Sequence, residues 1–427
     1  MNTTLLSGAL PLSATQRNWR WRIFASTWLC YAGLYFCRKP FYIAKAALGE
    51  NLGFSASTLG TIGAAYLIAY TAGQFISAGL GGKTGQRILL LGGMALSIVS
   101  NLVFGFTNST EAFIIFMAIN GLAQATGWSG TVGVMANWFR RGERGTVMGF
   151  WATNFQVGGV LANGLAAYAL GAYGFRYSFF LGTIVLFAVW IFFFFNQADK
   201  PEDLGLPAIV ETEGEVGVGS VSAGSGWTRA MVTNVLLLGL VYFFMKFIRY
   251  ALWSWAPFFL ARNFHQDGGS AGYLSTVFDL FGILGVIVTG YLSDKVFKSR
   301  RAKVSLIMIL VMVASCLLMY TVGRFSVFMF AACLGLVGFS LYGPDALLSG
   351  AGAMDVGSRR HATLAAGVIN GLGSLGSVVQ ELVIGKMYDK TGGELGPVFM
   401  LLLGASACSA IVLGVVNWRN MKGRSDV

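Results

Sequence analysis

Twelve apolar stretches, each long enough to cross a bilayer, leave this chain few folds to choose from. A hydrocarbon core about 30 Å thick is crossed by roughly 20 apolar residues in a helix, which satisfies its own backbone hydrogen bonds. The stretches run near 21–45, 57–79, 88–106, 112–136, 146–171, 177–196, 231–261, 271–292, 303–322, 326–352, 362–388 and 397–418. With 55% hydrophobic and 11% charged residues, the chain has no polar surface to spare for a soluble globule of its 427 residues. The first stretch is too long and too interrupted by charge for a signal peptide. The expectation is an all-α membrane protein of twelve transmembrane helices.

Orientation follows from the positive charges. With the N-terminus in the cytoplasm, twenty of the thirty Lys and Arg residues collect on the inner side, from Arg17, Arg20 and Arg22 to Arg419, Lys422 and Arg424. Lys45, Arg176, Arg262, Arg324, Lys386 and Lys390 fall on the other side. This asymmetry predicts that both termini are cytoplasmic. The net charge of +12 is then a matter of topology and of lipid head groups as partners, not of nucleic acid. The five cysteines lie in apolar segments without CxxC spacing and read as core residues.

One long polar stretch, rich in Glu, Gly and Ser, separates six spans from six. It divides the chain into an N-terminal bundle (1–196), a cytoplasmic linker (197–230) and a C-terminal bundle (231–427). The bundles repeat: Gly60, Leu80 and Lys83 match Gly272, Leu292 and Lys295, because 272 − 60, 292 − 80 and 295 − 83 all equal 212. Two six-helix halves of like orientation describe the parallel repeats of the major facilitator fold, with the substrate site in a central cavity between them. The loops at Lys83 and at Asp294 with Lys295 resemble that fold's GxLxD(R/K) latch. Gly82 replaces the acid in the first copy, which leaves one latch weak.

Four cations fall inside predicted helices: Arg38, Lys39, Lys246 and Arg249. A charge at a helix centre costs roughly 2.5–3.5 kcal/mol on insertion scales, so such residues face an interior cavity and serve ions or substrates. Arg38 and Arg249 are repeat-related, since 249 − 38 = 211, and at that offset Tyr31 also matches Tyr242. A pair of guanidinium forks facing each other suits a phosphate group. The plain alternative pairs each cation with a buried acid, for which Asp279, Asp345 and Glu381 are available. Lys39 is expected to face a neighbouring helix or water. Lys246 is expected either to pair with Asp279 or to add a second charge to the site.

Several runs carry a family resemblance. Tyr35–Phe41, Asn120–Trp128, Lys200–Leu206 and Leu341–Pro344 resemble, together and in order, the organophosphate:phosphate antiporter family. Ser275–Asp279 and Asn137–Phe139 are most similar to its animal sugar-phosphate exchangers. The resemblance implies exchange of inorganic phosphate for a phosphorylated three- or six-carbon metabolite by rocker-switch alternating access, with Arg38 and Arg249 as the signature arginines. With no obvious targeting extension, a bacterial inner membrane is the expected location, or the endoplasmic reticulum if the host is eukaryotic; function as a monomer and no cofactor are expected. Two positions depart from the family: Gln74 stands where a lysine is expected, and Phe155, between Asn154 and Gln156, where a histidine is expected. Tyr31, Tyr35, Gln74, Gln124, Trp128, Asn154 and Tyr242 are the further candidates for lining the site, with ordinary packing equally open to the aromatic ones. Asp279, Asp345, Glu381, Asp294 and Lys295 are the coupling or gating candidates.

Other signals carry less. Gly371–Gly376 spells GxGxxG but has no strand before it and lies in an apolar span, so it reads as close helix packing, as do Gly158, Gly159 and Gly164. Two histidines and no nucleophile or metal-ligand cluster argue against an enzyme or a metal site. A proton-coupled carrier of another organic anion and a non-transporting sensor of phosphorylated metabolites are the competing readings.

Overall fold

The structure is a computed structural model, and it describes residues 12–209, 229–297, 301–348 and 362–422. All regular structure among them is helical. The first crossing is α1 (Ala14–Leu34), a 3-10 turn (Tyr35–Cys37) and α2 (Lys39–Leu52). Then come α3 (Ala56–Thr84), α4 (Gln86–Phe106), α5 (Thr110–Trp138), α6 (Arg141–Trp151) running into α7 (Thr153–Tyr173), and α8 (Phe175–Asn196). The second half holds α9 (Arg229–Arg262), α10 (Gly268–Tyr291), α11 (Arg301–Val322), α12 (Val327–Ala346), α13 (Ala362–Lys390) and α14 (Leu395–Met421). Eleven crossings are long and apolar enough to span a bilayer by composition. The remaining crossing is α1–α2, which the cations interrupt.

That interruption has a local cause. Pro40, at the start of α2, has no N–H to return to the preceding turn, so the helix path loosens into the 3-10 turn and then resumes. Polar side chains take up the carbonyls this exposes: Asn101 and Asn120 each donate to the Cys37 carbonyl at 2.9 Å, and Gln124 donates to that of Leu34 at 3.1 Å. Gly182 makes room for the Phe36 carbonyl, which would lie 2.0 Å from a Cβ there. The bend is thus fixed from α4, α5 and α8 together, and it fixes Arg38 in turn.

Alternating directions put the start of α1, the end of α8, the start of α9 and the end of α14 on one face, here called the terminal face; the other is the far face. Contacts between the halves gather toward the far face. A Cβ on Gly60 of α3 would meet the Glu381 carbonyl of α13 at 2.3 Å, and one on Gly272 of α10 would meet the Ala167 side chain of α7 at 2.6 Å. These are the two glycines matched by the 212-residue repeat, so each half uses the same position to bring its backbone against the other. Within the second half, Gly376 of the GxGxxG run abuts the Phe243 carbonyl, which a Cβ would meet at 2.1 Å, in keeping with close packing. Gly158 likewise packs on Ala32. Gly371 and Gly164 face open space, so close packing does not account for them.

Gly60→Leu or Gly272→Leu should therefore wedge the halves apart, destabilise the fold by the roughly 1–3 kcal/mol typical of overpacking, and so lower the melting temperature of the purified protein. Gly164→Leu should leave it unchanged. Equal melting of all three variants would contradict this account of the interface.

Candidate functional site: a cationic cavity between the halves

Between the halves lies a narrow, partly open cavity with room of about 50 Å³ for the centres of water-sized molecules. Both repeat-related arginines, Arg38 and Arg249, line it, with Tyr35, Tyr66, Tyr70, Phe155 and Gln156 from the first half and Tyr250, Trp253, Asp279 and Tyr342 from the second. Arg38 is held by hydrogen bonding and stacking. Its Nε donates to Gln124 Oε1 at 2.7 Å, and its guanidinium lies 4.8 Å from the Tyr35 ring centre, 5.1 Å from Tyr70 and 5.7 Å from Tyr66. Gln124 can accept from Arg38 because its amide nitrogen is spent on the Leu34 carbonyl and on Asn120. The same network that fixes the bend therefore orients the fork. Among the described residues no carboxylate pairs with Arg38.

Arg249 differs. It forms an ion pair with Asp345 and lies 4.5 Å from the centre of the Tyr342 ring. Tyr342 in turn donates to Asp279 Oδ1 at 2.6 Å, while Asp279 Oδ2 accepts from Lys39 Nζ at 3.3 Å. Lys39 is 2% exposed and sits 3.8 Å over Trp253. The partner of Asp279 is thus Lys39 from the opposite half and not Lys246. A helical step of about 100° turns Lys39 away from Arg38, and it points at the second half instead of at water. Lys246 instead donates to Asn370 Oδ1 at 2.6 Å and to Ser374 Oγ at 3.5 Å.

Toward the far face a second bridge closes the halves together. Lys45 of α2 and Glu381 of α13 are both 0% exposed and lie 2.8 Å apart; Ser254 hydroxyl bonds to both, and Lys45 Nζ sits 3.8 Å from the Trp255 ring centre. The sequence pattern put Lys45 at the outer end of its span as a topological charge. It is instead the most enclosed cation among the described residues, because α2 continues as helix past it to Leu52. Beyond it, Asp389 caps the N-terminus of α3 across the interface, accepting from the backbone of Ala56 at 3.0 Å and of Ser57 at 2.7 Å. Arg262 and Glu50 form a looser pair at 3.7 Å.

The other predicted residues are spread around this centre. Tyr31 is buried in a ring cluster with Tyr35, Trp128 and Trp151, and Trp128 is 47% exposed beside it. Tyr242 packs under Lys246, 5.0 Å from its ammonium. Gln74 is half-buried on α3. Asn154 is fully buried, with neither amide atom bonded, and does not line the cavity. Lys295 is exposed on the terminal face, whereas the side chain of Asp294 lies outside the described set. At the first latch the acid missing at Gly82 has a substitute: Asp199, after α8, accepts from the Arg87 backbone at 2.6 Å. Partial burial raises the pKa of Asp199 above the ordinary carboxylate value, against the pull of that hydrogen bond. Reading the sequence for charge missed Tyr66, Tyr70, Tyr250 and Trp253; Tyr66 and Tyr70 sit four residues apart, which was the available sign that they share a helix face.

Removing one member of a buried pair strands the other. Glu381→Ala or Lys45→Ala should destabilise this arrangement by about 3–5 kcal/mol, and the double variant by clearly less than the sum. Thermal unfolding of the two single variants and the double variant gives the coupling directly. Strict additivity would mean that the bridge contributes nothing.

The chain matches the family model described as Major Facilitator Superfamily over residues 27–381. It is 27% identical over 419 residues to the "Probable hexose phosphate transport protein" of Chlamydia trachomatis, covering 94% of this chain and 91% of the relative. It is 28% identical over 436 residues to the "Glycerol-3-phosphate transporter" of Bacillus subtilis, covering 97% and 96%. Among solved structures, the inward-facing, occupied form of a bacterial homologue of the human lysosomal transporter Spinster superposes with a TM-score of 0.71 at 13% identity, covering 95% of this chain and 96% of that one. Twelve crossings in two repeated halves around a polar cavity, together with a matched model spanning most of the sequence, establish that this chain belongs to the Major Facilitator Superfamily.

Proposed function

We propose that this multi-pass membrane protein exchanges inorganic phosphate for an organic phosphate ester, of the sugar phosphate or glycerol phosphate type, by alternating access. The relatives named above carry those substrates in their names. The observation that carries the reading is the cavity itself: two repeat-related arginines, one from each half, line one chamber, and Arg38 has no acid of its own among the described residues. An incoming phosphate supplies the missing negative charge. It accepts from the Arg38 fork and competes with Asp345 for that of Arg249, so that one ligand draws both halves together.

Exchange, in place of leak, follows from the bridges between the halves. Rocking to the opposite state has to part Lys39 from Asp279 and Lys45 from Glu381, and a ligand shifts such an equilibrium only through its differential affinity for the two states. An empty cavity offers nothing to offset that cost, so reorientation awaits a bound anion. In this reading the terminal face, with both termini and most of the Lys and Arg residues, is cytoplasmic, and the membrane is a bacterial inner membrane. The two bundles of residues 1–196 and 231–427 move as bodies about the linker.

Counterflow in proteoliposomes tests this. With unlabelled phosphate inside and labelled phosphate outside, the parent should show rapid exchange that needs no proton gradient, and Arg38→Lys and Arg249→Lys should each slow it by at least about tenfold, because lysine keeps the charge but loses the fork. Folded parent protein without exchange would overturn the reading in favour of a sensor or a proton-coupled carrier.

A further inference from the structure

We propose that Lys246, held by Asn370 and Ser374, is a second anion-recognising subsite, so that the preferred ester carries a negative group of its own, such as a carboxylate, besides its phosphate. The inference rests on the transport reading above and adds to it the class of ester.

Position comes first. Lys246 lies one helical turn from Arg249 along α9, on the terminal-face side and on roughly the same helix face, with side chains about 5–6 Å apart at their bases. Asn370, Ser374, Ser377 and Glu381 fall at intervals of four, three and four, which is one stripe of α13. At its far end that stripe meets α3 of the other half through Glu381, Gly60 and Gly63. Its near end, where Asn370 is exposed and Ser374 half-buried, lies on the terminal-face side of those contacts, beyond the residues that line the cavity. Gly63, Leu67, Tyr70 and Gln74 form the facing stripe of α3, and Leu67 and Tyr70 line the cavity.

Charge comes second. Of the four mid-membrane cations, Lys39 and Arg249 each have a carboxylate partner. Arg38 and Lys246 have none within ion-pair distance among the described residues. Among the described residues Lys246 is hydrogen-bonded to a neutral amide and a hydroxyl, and its ammonium has three donors. A tie between α9 and α13 alone would not need a charge that costs a few kcal/mol to insert. Arg38, in the cavity lining, and Lys246, one turn beyond the cavity-lining Arg249, are thus two cations on opposite halves with no ion-paired carboxylate among the described residues, and inorganic phosphate has one group to offer them. An ester with two separated anionic groups meets both at once. The backbone prepares this position: a Cβ on Gly373 would lie 2.4 Å from the Tyr242 ring and 3.0 Å from Lys246 Cδ, so glycine there lets the lysine stem lie across α13.

The test uses two probes with the same skeleton. Glycerol 3-phosphate and 3-phosphoglycerate differ in a hydroxymethyl against a carboxylate, and each is set to compete with labelled phosphate in counterflow on the full-length protein. The parent should favour 3-phosphoglycerate by about tenfold or more, as expected for one added charge contact. Lys246→Gln should collapse that ratio toward one, Lys246→Arg should keep most of it, and Gly373→Ala, which displaces the lysine without removing its charge, should fall between. The ratio, not the overall rate, is the readout. A parent that exchanges phosphate but does not discriminate overturns this inference and leaves the transport reading standing. So does a ratio unchanged by Lys246→Gln, which would include an equal loss for all substrates. A parent without phosphate exchange overturns both.

Discussion

The Lys45–Glu381 bridge is the contact on which the rest of the arrangement turns. Two charges at 0% exposure, one from each half, with a shared serine hydroxyl and a tryptophan face, are tolerable only while the halves are pressed together. Gly60 and Gly63 are the means of pressing them, because any side chain there would strike Glu381. The bridge thus holds the far face shut, and the chamber that contains the arginines lies between it and the terminal face. A buried pair of this kind is a poor source of net stability but a sharp two-state device, since its members are satisfied together or stranded together.

Nearer the centre, the same logic is applied with different outcomes. Lys39 and Asp279 pair across the halves, Arg249 and Asp345 pair within one, and Arg38 is left to hydrogen bonds and aromatic faces. The gradation from closed to open charge follows depth. The most enclosed cation has a full counterion, and those facing the chamber retain capacity for a ligand. Tyr342 links the two systems by donating to Asp279 while lying beneath Arg249. A ligand that takes Asp345's place at Arg249 therefore perturbs, through one ring, the pair that joins the halves.

Much of this was legible in the residues. Span number, the repeat and the two arginines follow from hydropathy and a constant offset, because the bilayer imposes a length and gene-like duplication of a bundle preserves register. The partner assignments were not. Helix periodicity gives the side of Lys39 and Lys246 but not which of several acids comes near, since that depends on how two halves meet. Lys45 was misread for a related reason: near a predicted boundary a charge looks interfacial, and only the continuation of α2 to Leu52 shows it to be enclosed. The aromatic wall of Tyr66, Tyr70, Tyr250 and Trp253 was hidden by abundance, aromatics being 14% of the chain.

In the proposed mechanism an anion in the chamber drives the halves from far-face contact to terminal-face contact. The most direct measurement is a pair of spin-label distances in a Cys408→Ser background, one between the repeat-related positions Lys83 and Lys295 on the terminal face and one between Asn51 and Lys390 on the far face. Adding phosphate should populate a shorter first distance and a longer second one together, and Arg38→Lys should suppress both changes. Distances that ignore phosphate, or that change on one face alone, would contradict the account.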